Sequence, residues 1–433
     1  MKQKIVLSLC LAVLMGTATA QAQVYTLDAC KQMALDNNAR SRNSLLDIEA
    51  ARQEKKEVFT KYFPSISATG VAFQANDPII NTVLPLPEMM LPIQLFEDGL
   101  IGMVTAMQPI FAGGKIVNGN RLAQVAIDAA QLQHNLSKEE VLLKTERYYW
   151  QIVSIKEHLM TLSSVDTLLA RIHIDVQKAV EVGITSANDR LKVELQQNQM
   201  ASNRLELNNV LLLSKMLLAQ YIGLPMDALE SLDIACPVLD DREKATDYFV
   251  MYQEVLTNLS SYQLLDKNIE ATRLETRMKR GEYLPTVAIG ASYFNEDVAI
   301  GKHTNHTMIG ATVAIPLSGW WGGSHAIKKK KIAERKALNE KEDLSGQLVL
   351  KMQQTWNSLT EAEQQIALAK SAVGQSTENL RMNRDYYNAG TAPLSDLLDA
   401  QTLYQQTCNR LTNAQVDFRM KLREYLTATG RGL

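Results

Sequence analysis

RLAQVAIDAAQLQHNLSKEEVLLKTERYYWQIVSIKEHLMTLSSVDTLLARIHIDVQKAVEV, residues Arg121–Val182, runs for 62 residues without a glycine or a proline. Those two residue types interrupt helices, so the span predicts one continuous α-helix. At 1.5 Å per residue it makes a rod of about 93 Å, longer than a globular core is deep. Leu122, Val125, Ala129, Leu132 and Leu136 step along it by three and four, the spacing of a narrow coiled-coil seam. The chain therefore buries thin apolar stripes between long helices instead of one thick centre.

The composition agrees. Of 433 residues, 46% are apolar but only 6% aromatic, and 21 Gly with 11 Pro are few for an α/β enzyme of this size. Lys and Arg number 45 against 47 Asp and Glu, a net charge of -2, which argues against a nucleic-acid partner. Residues 1–22 read as a secretory signal peptide: Lys2 and Lys4 precede the apolar run Ile5–Met15, followed by Ala18-Thr19-Ala20 and Ala20-Gln21-Ala22. Cys10 lies inside that run behind Leu9, which excludes a lipid anchor. Cys30, Cys236 and Cys408 remain in the mature chain, an odd number that reads as buried thiols, not a disulfide framework. No mature segment has eighteen uninterrupted apolar residues, so no spanning helix is expected; an exported chain is then periplasmic, secreted, or held in an outer membrane by strands.

The long helix recurs. Pro109, Gly183, Asp189 and Gly223 reappear as Pro316, Gly390, Asp396 and Gly430, each 207 positions later. Upstream, Tyr62-Phe63-Pro64 returns as Tyr283-Leu284-Pro285 after 221 positions, so the first copy carries 14 extra residues, placed in the Pro-rich insertion 76–92. The chain is a duplication. Its expected domains are the signal peptide 1–22, a first repeat 23–223 with a β-hairpin at 65–109, an inter-repeat equatorial linker 224–245, and a second repeat 246–433 with a β-hairpin at 286–316.

Each repeat is expected to open with a helix, 26–60 or 246–282, ending before Pro64 or Pro285. Strand-like runs follow at Ile66–Gln74 and Ile101–Gln108, and again at Thr286–Phe294 and Thr307–Ile315. In the third run Val287, Ile289, Ala291 and Tyr293 make an apolar face, while Ala288, Gly290 and Ser292 make a small one. Long helices are expected after Gly113-Gly114 and Gly322-Gly323, and return helices at 184–222 and 393–429. The return and opening helices, about 58 and 52 Å, together match one rod. The fold class is mainly α with a β-barrel part. Four strands cannot close a transmembrane barrel, since the smallest have eight. Several chains must contribute: two copies give eight strands and three give twelve, and only the wider ring leaves an aqueous bore.

The segment Tyr387-Asn388-Ala389-Gly390-Thr391-Ala392-Pro393-Leu394-Ser395-Asp396-Leu397-Leu398-Asp399-Ala400-Gln401 resembles the tip motif of the TolC-like outer membrane efflux proteins, and Val182-Gly183-Ile184 through Asp189 resembles their first-repeat counterpart. The resemblance implies a homotrimer with a 12-stranded transmembrane β-barrel, a coiled-coil α-barrel in the periplasm and an equatorial belt. It implies export of drugs, toxic compounds or proteins, as in a tripartite efflux or type I secretion system. The implied partners are a periplasmic adaptor (membrane fusion protein), an inner-membrane pump and outer membrane lipid.

The resemblance also places residues. Asp396 and Asp399 fall where the family's periplasmic entrance is constricted, and an i,i+3 spacing puts both on one helix face; an electronegative, cation-selective gate is expected. Asp189 and Tyr387 match positions that tie the inner helix pair to its neighbour in the closed state. Ala392 and Asn188 replace the family's arginine and its polar partner, leaving Lys192 or Arg190 to supply a substitute ion pair. Val182, Gly183, Ile184, Ala389, Gly390 and Thr391 resemble adaptor-docking tips. Phe111, Trp320 and Trp321 sit at strand-to-helix junctions, where an aromatic belt would lie. The basic run Lys328–Lys331 reads as a solvated face, with anionic headgroups as the alternative. His303 and His306 lack the companions of a metal site. No catalytic constellation, metal site or cofactor loop is present in the sequence, so an enzyme is not expected. The competing reading is a soluble periplasmic coiled-coil adaptor or scaffold, which shares the signal peptide and the long helices but not the duplicated strands.

Overall fold

A computed structural model describes residues 24–77, 80–86, 89–95, 98–225, 232–238, 243–297 and 304–433. The expected signal peptide, His303 and parts of the 76–92 and 224–245 segments lie outside them. The elements are β1 (Val24–Tyr25), α1 (Leu27–Asn37), α2 (Ala39–Thr60), β2 (Ser65–Gln74), β3 (Ile80–Leu86), β4 (Met89–Leu95), β5 (Asp98–Ala112), α3 (Lys115–Glu181), α4 (Ala187–Ile222), β6 (Asp233–Ile234), α5 (Tyr252–Leu256), α6 (Ser260–Gly281), β7 (Thr286–Asp297), β8 (Thr304–Ala314), α7 (Gly319–Asn388) and α8 (Leu394–Ala428). The two rods have 67 and 70 residues, about 100 and 105 Å. No described helix is long and apolar enough to cross a membrane.

The chain divides into two units, one made of Leu46–Leu132 and Gln263–Asp343, the other of the remaining residues. The first holds an antiparallel four-stranded sheet in the order β2-β5-β7-β8. The register sets Ile66, Ala106, Ala291 and Ile309 abreast on one face. Ser67, Thr105, Ser292 and Met308 stand abreast on the other, where the Thr105 and Ser292 hydroxyls are 3.2 Å apart. Each of β2 and β8 pairs on one side only. The Pro-rich 76–92 insertion contributes β3 and most of β4, a separate antiparallel pair.

Pro109 has no N–H for the ladder, and β5 bulges between Pro109 and Phe111. Gly113 and Gly114, both at positive φ, then turn the strand into α3. Backbone passes backbone here: a Cβ on Gly281 would lie 2.3 Å from the Gly113 carbonyl oxygen. The rod α7 starts at Gly319, earlier than expected, and absorbs Gly322 and Gly323. Gly323 is buried beneath Tyr283, whose ring leaves a Cβ only 2.9 Å.

In the second unit, the expected helix 26–60 is broken at Asn38, whose backbone is extended. The break serves α4: the side-chain amides of Asn37 and Asn38 donate to the carbonyls of Ile222 and Tyr221, at 3.1 and 3.0 Å, satisfying acceptors a helix end leaves free. The expected helix 246–282 is likewise divided, into a 3-10 turn at Ala245–Tyr248, α5 and α6. Side chains engage the backbone before α5: the Ala245 N–H donates to Glu363 and the Val250 N–H to the Tyr425 hydroxyl, at 3.1 and 3.2 Å. The equatorial segment adds β6, parallel to β1. Of the three free thiols, Cys30 is buried, but Cys236 is exposed and Cys408 only half-buried, a correction to the expected buried set.

Candidate functional site

The two helix-to-helix turns, α3 to α4 and α7 to α8, close in the same way. The Gly183 N–H donates to the Val180 carbonyl and the Ile184 N–H to Ala179, at 3.0 and 2.8 Å. The Gly390 N–H donates to Tyr387 and the Thr391 N–H to Tyr386, both at 2.9 Å. Each is a Schellman cap with glycine in the left-handed conformation, at φ 75° and 72°. A Cβ on either glycine would meet nothing within 4 Å, so conformation alone requires the glycine.

Behind the turns, Leu162, Val165, Leu169, Ile172 and Val176 of α3 pack with Val193 and Met200 of α4 and Leu394 and Leu397 of α8. The turns themselves differ in chemistry. Val182 and Ile184 are 70% and 79% exposed, whereas Ala389, Gly390 and Thr391 offer an exposed surface of small side chains.

The acidic residues also differ between the repeats. Asp189, in the first turn of α4, accepts from the Thr185 hydroxyl at 2.6 Å, the Ser186 hydroxyl at 3.3 Å and the Lys192 ammonium at 3.1 Å. The Thr185 bond, opposed by partial burial and reinforced by Lys192, holds its carboxyl below the usual range. Lys192 therefore pairs within its own turn, while Arg190 lies 3.5 Å from Glu194. Asp396 and Asp399 are both exposed on the side of α8 away from buried Leu394, Leu397 and Ala400. Asp396 accepts from Ser395 at 3.3 Å, and neither acid has an ion pair among the described residues. Tyr387 is half-buried against the cluster; burial first, then the carboxylates of Asp189 and Asp175, push its phenol pKa up.

Sequence reasoning did not single out Glu146. Its side chain, 7% exposed, lies 2.7 Å from Lys31 and 3.1 Å from Arg423, joining α3 to α1 and α8. The signal was available: Glu146 lies in a mostly apolar stretch where an acid is buried only if paired.

In the sheet unit, Phe111 is the penultimate residue of β5, and Trp320 and Trp321 lie in the first turn of α7. The Trp320 indole N–H donates to the Tyr283 carbonyl at 2.8 Å, while Trp321 is 84% exposed. His306 stacks on Phe294, with ring centroids 4.9 Å apart. No cluster of His, Cys, Asp or Glu among the described residues could hold a metal.

Residues 251–431 match the sequence family described as outer membrane efflux protein. No curated protein sequence matches the chain. Several solved structures match nearly its whole length. Against the outer membrane protein VceC of Vibrio cholerae the TM-score is 0.77 at 14% identity, covering 93% of this chain and 96% of that one. For the CmeC outer membrane channel of Campylobacter jejuni the values are 0.79, 13%, 94% and 86%. For the open state of the MtrE outer membrane channel of Neisseria gonorrhoeae they are 0.73, 15%, 94% and 89%. At such identities the likeness establishes a shared fold.

Proposed function

We propose, from the outer membrane efflux protein domain that residues 251–431 carry, that this chain is an outer membrane channel-tunnel: the passive exit duct of a tripartite efflux assembly. The observation that carries the reading is the four-stranded sheet with an unpaired edge at each end. Backbone donors and acceptors left unpaired in lipid each cost several kcal/mol, so such a sheet enters a membrane only when other copies continue it into a ring. Three copies supply twelve strands. One face of the sheet exposes the apolar side chains Ile66, Val104, Ile289, Tyr293, Ile309 and Val313, as a lipid-facing wall requires; the other interleaves the hydroxyls of Ser67, Thr69, Thr105, Ser292 and Thr312 with the apolar Val71, Phe73, Met103, Phe294 and Met308. In the same unit, Val58, Phe63, Ile116, Leu122 and Met278 line a groove of about 920 Å³ together with Glu54, Lys61 and Lys115, a mixed surface open to a neighbouring copy.

Within that reading Trp321, with Phe111 and Trp320, marks the membrane boundary, and Val182 and Ile184 offer the adaptor an apolar foothold beside the small turn 389–391. Asp396 and Asp399 form the acidic constriction of the entrance, with Tyr387 and the Asp189–Lys192 pair behind it. Export of proteins by a type I secretion system uses the same duct. A soluble periplasmic scaffold is disfavoured by the exposed apolar sheet face. The test is conductance across planar bilayers of the full chain extracted from outer membranes, with its mass taken in mild detergent. A trimer conducting with cation preference is expected, and Asp396→Asn with Asp399→Asn should lower that preference. A monomer, or a chain washed from membranes without detergent, refutes the channel; unchanged selectivity in the variant refutes only the acidic constriction.

A further inference from the structure

The four lysines at the start of α7 do not share a direction. Lys330 is turned to its own chain, its ammonium 2.7 Å from Glu275 of α6. Glu334, one turn on, faces α6 too and pairs with Arg273 at 2.9 Å. Lys328, Lys329 and Lys331 are exposed and make no ion pair among the described residues. At 3.6 residues per turn they lie within about 80° of Trp321 around the helix axis, as do Arg335 and Lys336, with Lys330 opposite. Glu334 is the sole acid between Trp321 and Lys336, so the exposed face carries positive charge alone.

The duplication provides an internal control. Shifted back by 207 positions, Trp320-Trp321 becomes Gly113-Gly114, and Lys328–Lys331 becomes Arg121-Leu122-Ala123-Gln124. The first repeat starts its rod without the tryptophans and without the lysine run, so building the rod requires neither. The two features occur together in the second repeat, from about 10 to 16 Å apart along the helix. Lysine stems on a helix lean towards its N-terminus, here back towards Trp321, and extend their ammonium groups further.

We propose that the exposed face of the first turns of α7, Lys328, Lys329 and Lys331, binds the anionic headgroups of membrane phospholipid beneath the Trp320–Trp321 anchor. The occupant follows from the pairing of features: an exposed tryptophan marks the interface, and unpaired cations just below it meet the layer where phosphate groups lie. The proposal rests on the outer membrane placement above.

The test is native mass spectrometry of the detergent-solubilised full chain offered phosphatidylglycerol or phosphatidylcholine, with inorganic phosphate as competitor. The wild type should retain phosphatidylglycerol preferentially, and added salt should erode the preference. A lysine near an anionic surface contributes a factor of about 5, so the triple variant Lys328→Gln, Lys329→Gln, Lys331→Gln should lose on the order of 100-fold. Lys330→Gln should bind as the wild type does, and triple Lys→Arg substitution should preserve the preference. Equal binding of the two lipids, an unaltered triple Gln variant, or a Lys330→Gln loss as large as the triple variant's would overturn the proposal. Displacement of the lipid by millimolar phosphate would do so too, by showing a free-anion site. Should the triple Gln variant fail to fold, the lipid preference of the wild type and of Lys330→Gln still decides. Conductance in pure phosphatidylcholine is read separately: a chain that conducts there but shows no headgroup preference retains the channel and loses only the lipid face.

Discussion

Glu146→Ala should be among the most damaging single changes away from the turns. The carboxylate is almost fully buried and lies 2.7 Å from Lys31 and 3.1 Å from Arg423, which are themselves 24% and 11% exposed. Beside it is the cluster of Cys30, Ala34, Val141, Tyr149, Trp150 and Leu218, an apolar setting in which an unpaired charge is costly. Removing the acid takes the nearer carboxylate from both cations, leaving Lys31 with Asp28 at 3.9 Å and Arg423 with the Gly432 carbonyl; breaking a buried pair in this way costs up to about 3–5 kcal/mol. Glu146→Gln keeps an acceptor and the shape while losing the charge, and should cost about 1–3 kcal/mol. The loss should appear first in α1, which carries Lys31 and is otherwise held by Cys30 and Ala34 in the core cluster and by the Asn37 and Asn38 amides on α4. Urea denaturation gives the magnitude, and amide exchange across Leu27–Asn37 gives the place. Replacing all three groups by apolar residues of similar volume, Lys31→Met, Glu146→Leu and Arg423→Met, should recover most of the stability, because the desolvation cost disappears with the charges. An alanine variant within about 1 kcal/mol of the wild type, or exchange unchanged in α1, would refute the claim that the triad docks that helix.

Gly281→Ala should destabilise the sheet unit more than Gly183→Ala destabilises the turn, because the first drives a Cβ to 2.3 Å from the Gly113 carbonyl whereas the second meets open space. For Gly183→Ala, melting should report only the left-handed strain of about 1–2 kcal/mol, and Gly183→Asn less. For Asp189, the folded carboxyl lies below its unfolded value, so its stabilisation is complete above the usual carboxylate range near pH 4 and fades as pH falls through the depressed value. A fluorine label at Ile184 should therefore report an unchanged turn from pH 8 to 5 and fraying only in stronger acid. Thr185→Val, which removes the largest cause of the depression, should move that onset to higher pH; an unmoved onset would show that the Thr185 bond does not set it.

The long elements were legible because each rests on a local rule. A span without Gly or Pro predicts a rod, alternation predicts strands, and a glycine beyond a helical run predicts its cap. What the sequence concealed depends on contacts between distant segments. Asn38 breaks a helix because α4, more than 180 positions away, has carbonyls to satisfy. The segment 245–259 departs from one helix where Glu363 and Tyr425 take the backbone donors of Ala245 and Val250. The 76–92 insertion reads as having no strands of its own because prolines obscure alternation, yet β3 and β4 accept Pro85 and Pro92 in a two-stranded pair where every strand is an edge. At the turns, the sequence left Lys192 and Arg190 as rival partners. Only side-chain placement separates them, since an i,i+3 pair to Asp189 and an i,i+4 pair to Glu194 satisfy the same rule.

The duplication explains why an acidic constriction would arise from one repeat only. Asp189 and Asp396 occupy equivalent positions, each in the first turn of a return helix. Three residues on, the first repeat has Lys192 and the second Asp399. The first carboxylate is therefore neutralised by its own turn, while the second faces a like charge about 5–6 Å away at the level of Cβ atoms. Between dielectric limits of 20 and 80, that repulsion is about 0.7–3 kcal/mol. The start of α8 offsets part of it, because the exposed N–H groups and dipole of a helix N-terminus favour negative charge without neutralising it. Aspartate in place of the lysine thus makes a turn whose two carboxylates remain open to solvent instead of a self-paired one, and the proposed trimer would bring six such carboxylates together. The proposed constriction would need no new backbone, only aspartate where the equivalent position of the other repeat has lysine.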